Sequence, residues 1–165
     1  MPNLEAQIGE RLRARRLTLA AAESCTGGLV GHRLTDVPGS SEYFLGGIVA
    51  YANAAKQALL GVPADTLAAH GAVSGETALA MARGARQALG TDLAVSVTGI
   101  AGPGGGTPDK PVGLTWIGLS APDVQLARRF VWDADRAGNK ARSAEAALQL
   151  VLDYLEGRLG APEHP

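Results

Sequence analysis

The sequence predicts an α/β protein, a three-layer α/β/α sandwich around a mixed, mostly parallel sheet of about five strands. Three observations lead there. Short apolar runs alternate along the chain with segments of helical period. Helices flank the strands in sequence, the arrangement that covers both faces of a parallel sheet. The last two apolar runs are joined by "SAPD", with its turn-forming Pro and Asp, and so form a hairpin that adds an antiparallel strand. With 165 residues and 46% hydrophobic content, one domain over residues 1–165 with a sizeable core is the expectation.

Each element carries its own signal. Residues 3–16 have a helical period, and the apolar run 17–22 reads as a buried strand. A short helix over 27–35 follows "ESCTGG". "YFLGGIVAY" at 43–51 reads as a second strand whose glycines suggest a bulge or a close backbone contact. "ANAAKQALL" turns helical and ends at Gly61-Val62-Pro63, ordinary stop chemistry. A long alanine-rich helix follows Ser74-Gly75-Glu76 and runs to about Leu89. "DLAVSV" is the third strand, and "VGLTWIGL" with "QLARRFVW" makes the hairpin. An amphipathic helix closes the chain from about Ala137 to Leu155, and from about residue 157 the tail is expected to fray.

Charge and composition exclude several classes. Lys plus Arg total 15 against 16 Asp plus Glu, a formal charge of -1, so no footprint for nucleic acid or an anionic membrane is present. The basic run "RLRARR" at 11–16 reads as the solvated face of a helix. The single cysteine, Cys25, excludes an internal disulfide. No signal peptide or long apolar span stands out, and a cytoplasmic location is expected. His32, His70 and His164 are isolated, without H-E-x-x-H or paired cysteines, so neither a metal nor a cofactor is expected.

Two loops draw attention because each follows a predicted strand: "ESCTGG" at 23–28 and "TGIAGPGGGTPDKP" at 98–111. In open α/β sheets, ligands sit beyond the carboxyl ends of parallel strands, which places both loops at one site. The second is too rich in glycine and proline for a helix or a central strand. Its glycines let successive N–H groups approach an anion without Cβ interference. It is neither a Walker A loop nor a dinucleotide fingerprint, and on composition alone a flexible connector explains it equally well.

"AESCTGG", "YANAAK", "LGVP", "GAVS", "TGIAGPGGGTPDKPVG" and "DRAGNK", in that order, resemble the CinA carboxy-terminal domain family, the stand-alone nicotinamide-nucleotide amidases. The resemblance covers roughly residues 5–155 and rests on several motifs agreeing in order and spacing. It implies a mixed-sheet α/β/α fold. It also implies hydrolysis of the carboxamide of nicotinamide mononucleotide to nicotinic acid mononucleotide and ammonia. The family's serine nucleophile falls on Ser24, and its tyrosine and lysine fall on Tyr51 and Lys56. In longer members the domain follows a molybdopterin-binding-like domain, and such proteins have been linked to competence. A non-catalytic nucleotide-binding or adaptor module is therefore the second reading, and an amidase for another small amide is the third.

Amide hydrolysis needs a nucleophile, a base, an acid for the departing ammonia and donors for the oxyanion. No histidine lies in these loops. Lys56 can serve as base only if its pKa is lowered, and its neighbours Ala52, Ala54, Ala55, Ala58, Leu59 and Leu60 offer an apolar cradle. Ser24 has a competing use as a helix N-cap, which Thr26 could take over. The N–H groups of Cys25, Thr26, Gly27 and Gly28 are then candidate oxyanion donors. Cys25 is the rival nucleophile, intrinsically better than serine, but a catalytic cysteine usually needs a histidine or other cation beside it. For the substrate's phosphate, Thr98, Gly99 and the segment 102–107 offer donors, among them Gly102, Gly104, Gly105, Gly106 and Thr107, with Lys110 as a charge partner. Arg136 and Lys140 are the alternatives, reaching across a subunit boundary if the chain forms the expected homo-oligomer.

Overall fold

A computed structural model describes residues 2–160. The expected fraying of the tail falls largely on residues 161–165, including His164, which lie outside the described residues. Among the described residues, six α-helices and five strands follow one another as α1 (Leu4–Arg15), β1 (Leu19–Glu23), α2 (Leu29–Thr35), β2 (Phe44–Val49), α3 (Asn53–Leu60), α4 (Ala64–His70), α5 (Gly75–Leu89), β3 (Leu93–Gly99), β4 (Leu114–Ser120), β5 (Gln125–Val131) and α6 (Arg136–Leu155).

The sheet order is β2-β1-β3-β4-β5. β1 pairs in parallel with both β2 and β3, whereas β3–β4 and β4–β5 are antiparallel. Four of the five strands thus run one way and β4 alone opposes them. The bulge expected in β2 is present, since the register slips between Leu19–Phe44 and Ala20–Gly46, leaving Leu45 as the extra residue.

Two apolar cores make the sandwich. Leu19 and Ala21 of β1 face α1, α2 and α6, packing with Ile8, Leu12, Val30, Leu34 and Leu148. Ala20 and Ala22 face the other way, toward Leu60, Met81 and Ala85 of α3 and α5. Period-2 alternation thus assigns β1 to both cores at once, and all five of its residues are buried. Alanine at three of those positions lets helices approach from both sides. The helices start where side chains accept from free N–H groups: Asn3 for α1, Ser74 for α5 and Asp135 for α6. Gly61 and Gly90 close α3 and α5 in the left-handed conformation.

β1 and β3 lie side by side with parallel carboxyl ends, and the chain leaves them into the two unusual loops. The loop after β1 leads into α2 on one face, while β2 returns through α3, α4 and α5 on the other. This change of side is where an open sheet leaves a crevice. No helix among the described residues is long and apolar enough to cross a membrane.

Candidate active site

The crevice holds a buried serine–lysine pair. Ser24 follows the last residue of β1, and its N–H donates to Val97 O of β3 at 2.9 Å, which fixes the start of the turn. Lys56 sits in the first turn of α3 and is 1% exposed. Its Nζ lies 3.0 Å from Ser24 Oγ and 3.1 Å from each of the carbonyl oxygens of Ala50 and Tyr51. Burial pushes the Lys56 pKa below its ordinary 10.5, partly offset by the nearby Cys25. Three acceptors around one nitrogen satisfy an ammonium. They suit the neutral amine equally: two N–H bonds go to the carbonyls, and the lone pair is left facing the serine hydroxyl.

Ser24 is not a helix cap. Gly28 occupies the N-cap position of α2 at φ 108 and offers no side chain. Thr26, expected as the replacement cap, instead donates its hydroxyl to Glu23 Oε1 at 2.7 Å. The carboxylate of Glu23 caps α2, accepting from the N–H groups of Gly28, Val30 and Gly31 at 3.2, 2.9 and 3.1 Å. Only a turn with φ near 62 at Gly27 and 108 at Gly28 brings those groups around, which explains both glycines. Of the four expected oxyanion donors, Gly27 N–H is spent on Ser24 O and Gly28 N–H on Glu23. The N–H groups of Cys25 and Thr26 donate to no oxygen of another residue among those described.

Cys25 lines the same cleft but its chemistry is suppressed. The residue is 7% exposed and its thiol pKa is pushed up to about 11, chiefly by burial. A thiol with that pKa is protonated at neutral pH, the less nucleophilic form. Gly99 is the floor beneath it: a Cβ there would stand 3.1 Å from Cys25 Sγ and 2.7 Å from Thr115 Oγ1.

The remaining predicted residues divide. Tyr51 is at the rim, 61% exposed, with its phenol oxygen accepting from Arg136 Nη2 at 3.0 Å. Its backbone carbonyl, rather than its ring, touches Lys56. Thr98 is buried and its hydroxyl is committed to Ala72 O at 2.7 Å, which ties β3 to the segment before α5. The glycine loop faces outward. Gly104, Gly105, Gly106 and Thr107 are exposed, and Thr107 is paired with Lys110 through its own N–H and hydroxyl. Lys110 reaches the carbonyl of His70, away from the crevice. The base of the loop is fastened to α6 instead: Arg136 Nη1 donates to Gly102 O at 2.8 Å and buried Asn139 donates to Ala101 O at 3.0 Å.

Two neighbouring spaces result. A cleft of about 180 Å³ is lined by Ser24, Cys25, Tyr51, Asn53, Lys56, Thr98, Gly99 and Arg136, among others. Ala101 and Arg136 also line a neighbouring groove of about 850 Å³, whose wall carries Leu29, Pro103, Val112, Ala137 and Lys140. Arg136 and Lys140 stand one turn apart on α6 and are the groove's cations. No cluster of three His, Cys, Asp or Glu suited to a metal occurs among the described residues.

Fold and site together define a class, that of α/β proteins with a buried serine–lysine pair at the carboxyl ends of parallel strands. The chain belongs to the CinA C-terminal domain family, which matches residues 1–155. It is 57% identical over 146 residues to a CinA-like protein of Salinibacter ruber, covering 88% of this chain and 35% of that one. To a CinA-like protein of Chlorobaculum tepidum it is 55% identical over 158 residues, covering 93% and 37%. The chain thus spans little more than a third of these relatives' length. Among solved structures it resembles a competence/damage inducible protein from Agrobacterium tumefaciens, with 39% identity, TM-score 0.85, and coverage of 94% and 98% of the two chains. A CinA superfamily protein from Klebsiella pneumoniae matches at TM-score 0.90 and 30% identity, covering 93% and 96%.

Proposed function

We propose that the chain is an amidohydrolase that converts nicotinamide mononucleotide to nicotinic acid mononucleotide and ammonia, as part of pyridine nucleotide recycling. The observation that carries this reading is the Lys56 Nζ–Ser24 Oγ contact of 3.0 Å, inside a cradle that buries the lysine and sets its nitrogen against two backbone carbonyls. Ser24 Oγ attacks the carboxamide carbon while its proton passes to Lys56 Nζ. The oxyanion is received by the N–H groups of Cys25 and Thr26. Lys56 then delivers the proton to the leaving nitrogen, the C–N bond breaks and ammonia departs, leaving an acyl ester on Ser24. Water attacks the ester, Lys56 takes its proton and returns it to Ser24 Oγ, and the carboxylate product leaves. The Tyr51 phenol, oriented by Arg136, assists from the rim.

The small cleft suits a single ring bearing an amide, and the adjoining groove suits the ribose phosphate. We assign the phosphate to Arg136 and Lys140, because the glycine loop faces outward and Lys110 points elsewhere. A double Arg136→Ala, Lys140→Ala variant is expected to raise KM for nicotinamide mononucleotide at least about tenfold, with a smaller change in kcat. An unchanged KM would return the phosphate to the loop.

A panel assay separates this reading from its two alternatives. Ammonia release is measured from nicotinamide mononucleotide, nicotinamide riboside, free nicotinamide and unrelated small amides. Release from the mononucleotide, with free nicotinamide a poor substrate, supports the proposal. Preference for another amide supports a different amidase, and no release from any, with nucleotide still bound, supports a binding module.

A further inference from the structure

We propose that Glu23 is a positioning residue for the nucleophile turn, closing residues 24–31 into a side-chain-bridged loop that leaves the Ser24 hydroxyl uncapped and the N–H groups of Cys25 and Thr26 unspent. This rests on the serine-nucleophile reading above.

Glu23 is 2% exposed, and no cation pairs with it among the described residues. A buried carboxylate without a cation persists only when hydrogen bonds replace its hydration. Here four donors do so: the Thr26 hydroxyl and the Gly28, Val30 and Gly31 N–H groups. Thr26 and Gly28 lie in the turn and Val30 and Gly31 in the first turn of α2, so one side chain at the strand end holds the turn and the start of the helix against it. A helix usually takes its cap from its own N-cap residue, but Gly28 has no side chain to give. Without Glu23, the hydroxyls left to accept from these N–H groups are those of Ser24 and Thr26, and a Ser24 hydroxyl drawn into capping is withdrawn from Lys56. The carboxylate also suits a helix N-terminus in charge. Its charge further adds to the burial that keeps the Cys25 thiol protonated.

The role is tested with a small alkyl fluorophosphonate, which reports nucleophile activation without the natural substrate. Ser24 Oγ displaces fluoride, forming P–O as P–F breaks, and its proton goes to Lys56. Mass spectrometry follows labelling of Ser24 in the wild type, Ser24→Ala, Glu23→Gln and Thr26→Val, beside melting curves and calorimetry with nicotinic acid mononucleotide. Glu23→Gln is expected to label at least about 100-fold more slowly, with nucleotide affinity kept within about threefold. Thr26→Val removes one donor of four while keeping the buried shape, and is expected to label about tenfold more slowly. It decides the matter if Glu23→Gln does not fold. Wild-type labelling rates in either folded variant overturn the role of Glu23 alone. A wild type as unreactive as Ser24→Ala overturns the nucleophile reading along with it.

Discussion

Ser24→Ala is expected to lose ammonia release from nicotinamide mononucleotide by at least about 10⁴-fold while keeping the wild-type melting temperature and nucleotide affinity. The stability half of this expectation follows from the site. The hydroxyl's partner is Lys56, and the N-terminus of α2 is held by Glu23 rather than by the serine. Removing one oxygen therefore uncaps nothing and opens no cavity of consequence. Activity assays, calorimetry and thermal melting on the same preparation check it. An active variant destabilised by about 1 kcal/mol would show a capping serine and end the nucleophile assignment.

Lys56→Met is expected to lose activity to a similar extent, and Lys56→Arg not to restore it, because a guanidinium stays protonated at any working pH and presents no lone pair. The wild type carries a second signature. Since burial lowers the Lys56 pKa, kcat should rise with pH through that lowered value as the neutral amine accumulates. Stability follows the same group. Between the folded-state pKa and the ordinary 10.5 of the unfolded chain, the unfolded state binds more protons, so stability rises with pH across that window. Below it both states are protonated, and the cost of burying the ammonium is constant. Melting curves of wild type and Lys56→Met, compared over this range, should show the wild type gaining on the variant as pH rises. A flat difference would place the lysine at its ordinary pKa and deny it the role of base.

The strands were legible because their patterns come from the core itself. "LTLAAA" is apolar on both faces since β1 is covered on both, and the hairpin's turn residues are local. α4 left no trace: none of its seven residues is buried, so no apolar stripe marks it, although Pro63 at its N-cap and Asp65 in its first turn fit a helix start. The serine and lysine were legible by motif, but the meeting of the two required the sheet to set β1 beside β2. Glu23 was overlooked because an acid at a strand end reads as solvent-exposed; only the fold shows four donors converging on it. Tyr51 shows the converse. Its identity suggested ring chemistry, whereas its carbonyl, which any residue would supply, is what touches the lysine. The glycine loop was ambiguous by composition, since an outward loop and an anion nest need the same residues; the structure shows Gly104 to Thr107 exposed. Its anchoring by Arg136 and Asn139 depends on contacts 34 and 38 residues apart in sequence.

Partition by hydroxylamine reports whether Ser24 carries an acyl group during turnover. An acyl ester on Ser24 can be captured by an added nucleophile before water reaches it, so product analysis reads the covalent step itself. With nicotinamide mononucleotide and hydroxylamine together, the account predicts a hydroxamate of the mononucleotide forming at the expense of the carboxylate, with neither product appearing in Ser24→Ala. Carboxylate as the sole product, at a rate indifferent to hydroxylamine and undiminished in Ser24→Ala, would contradict it.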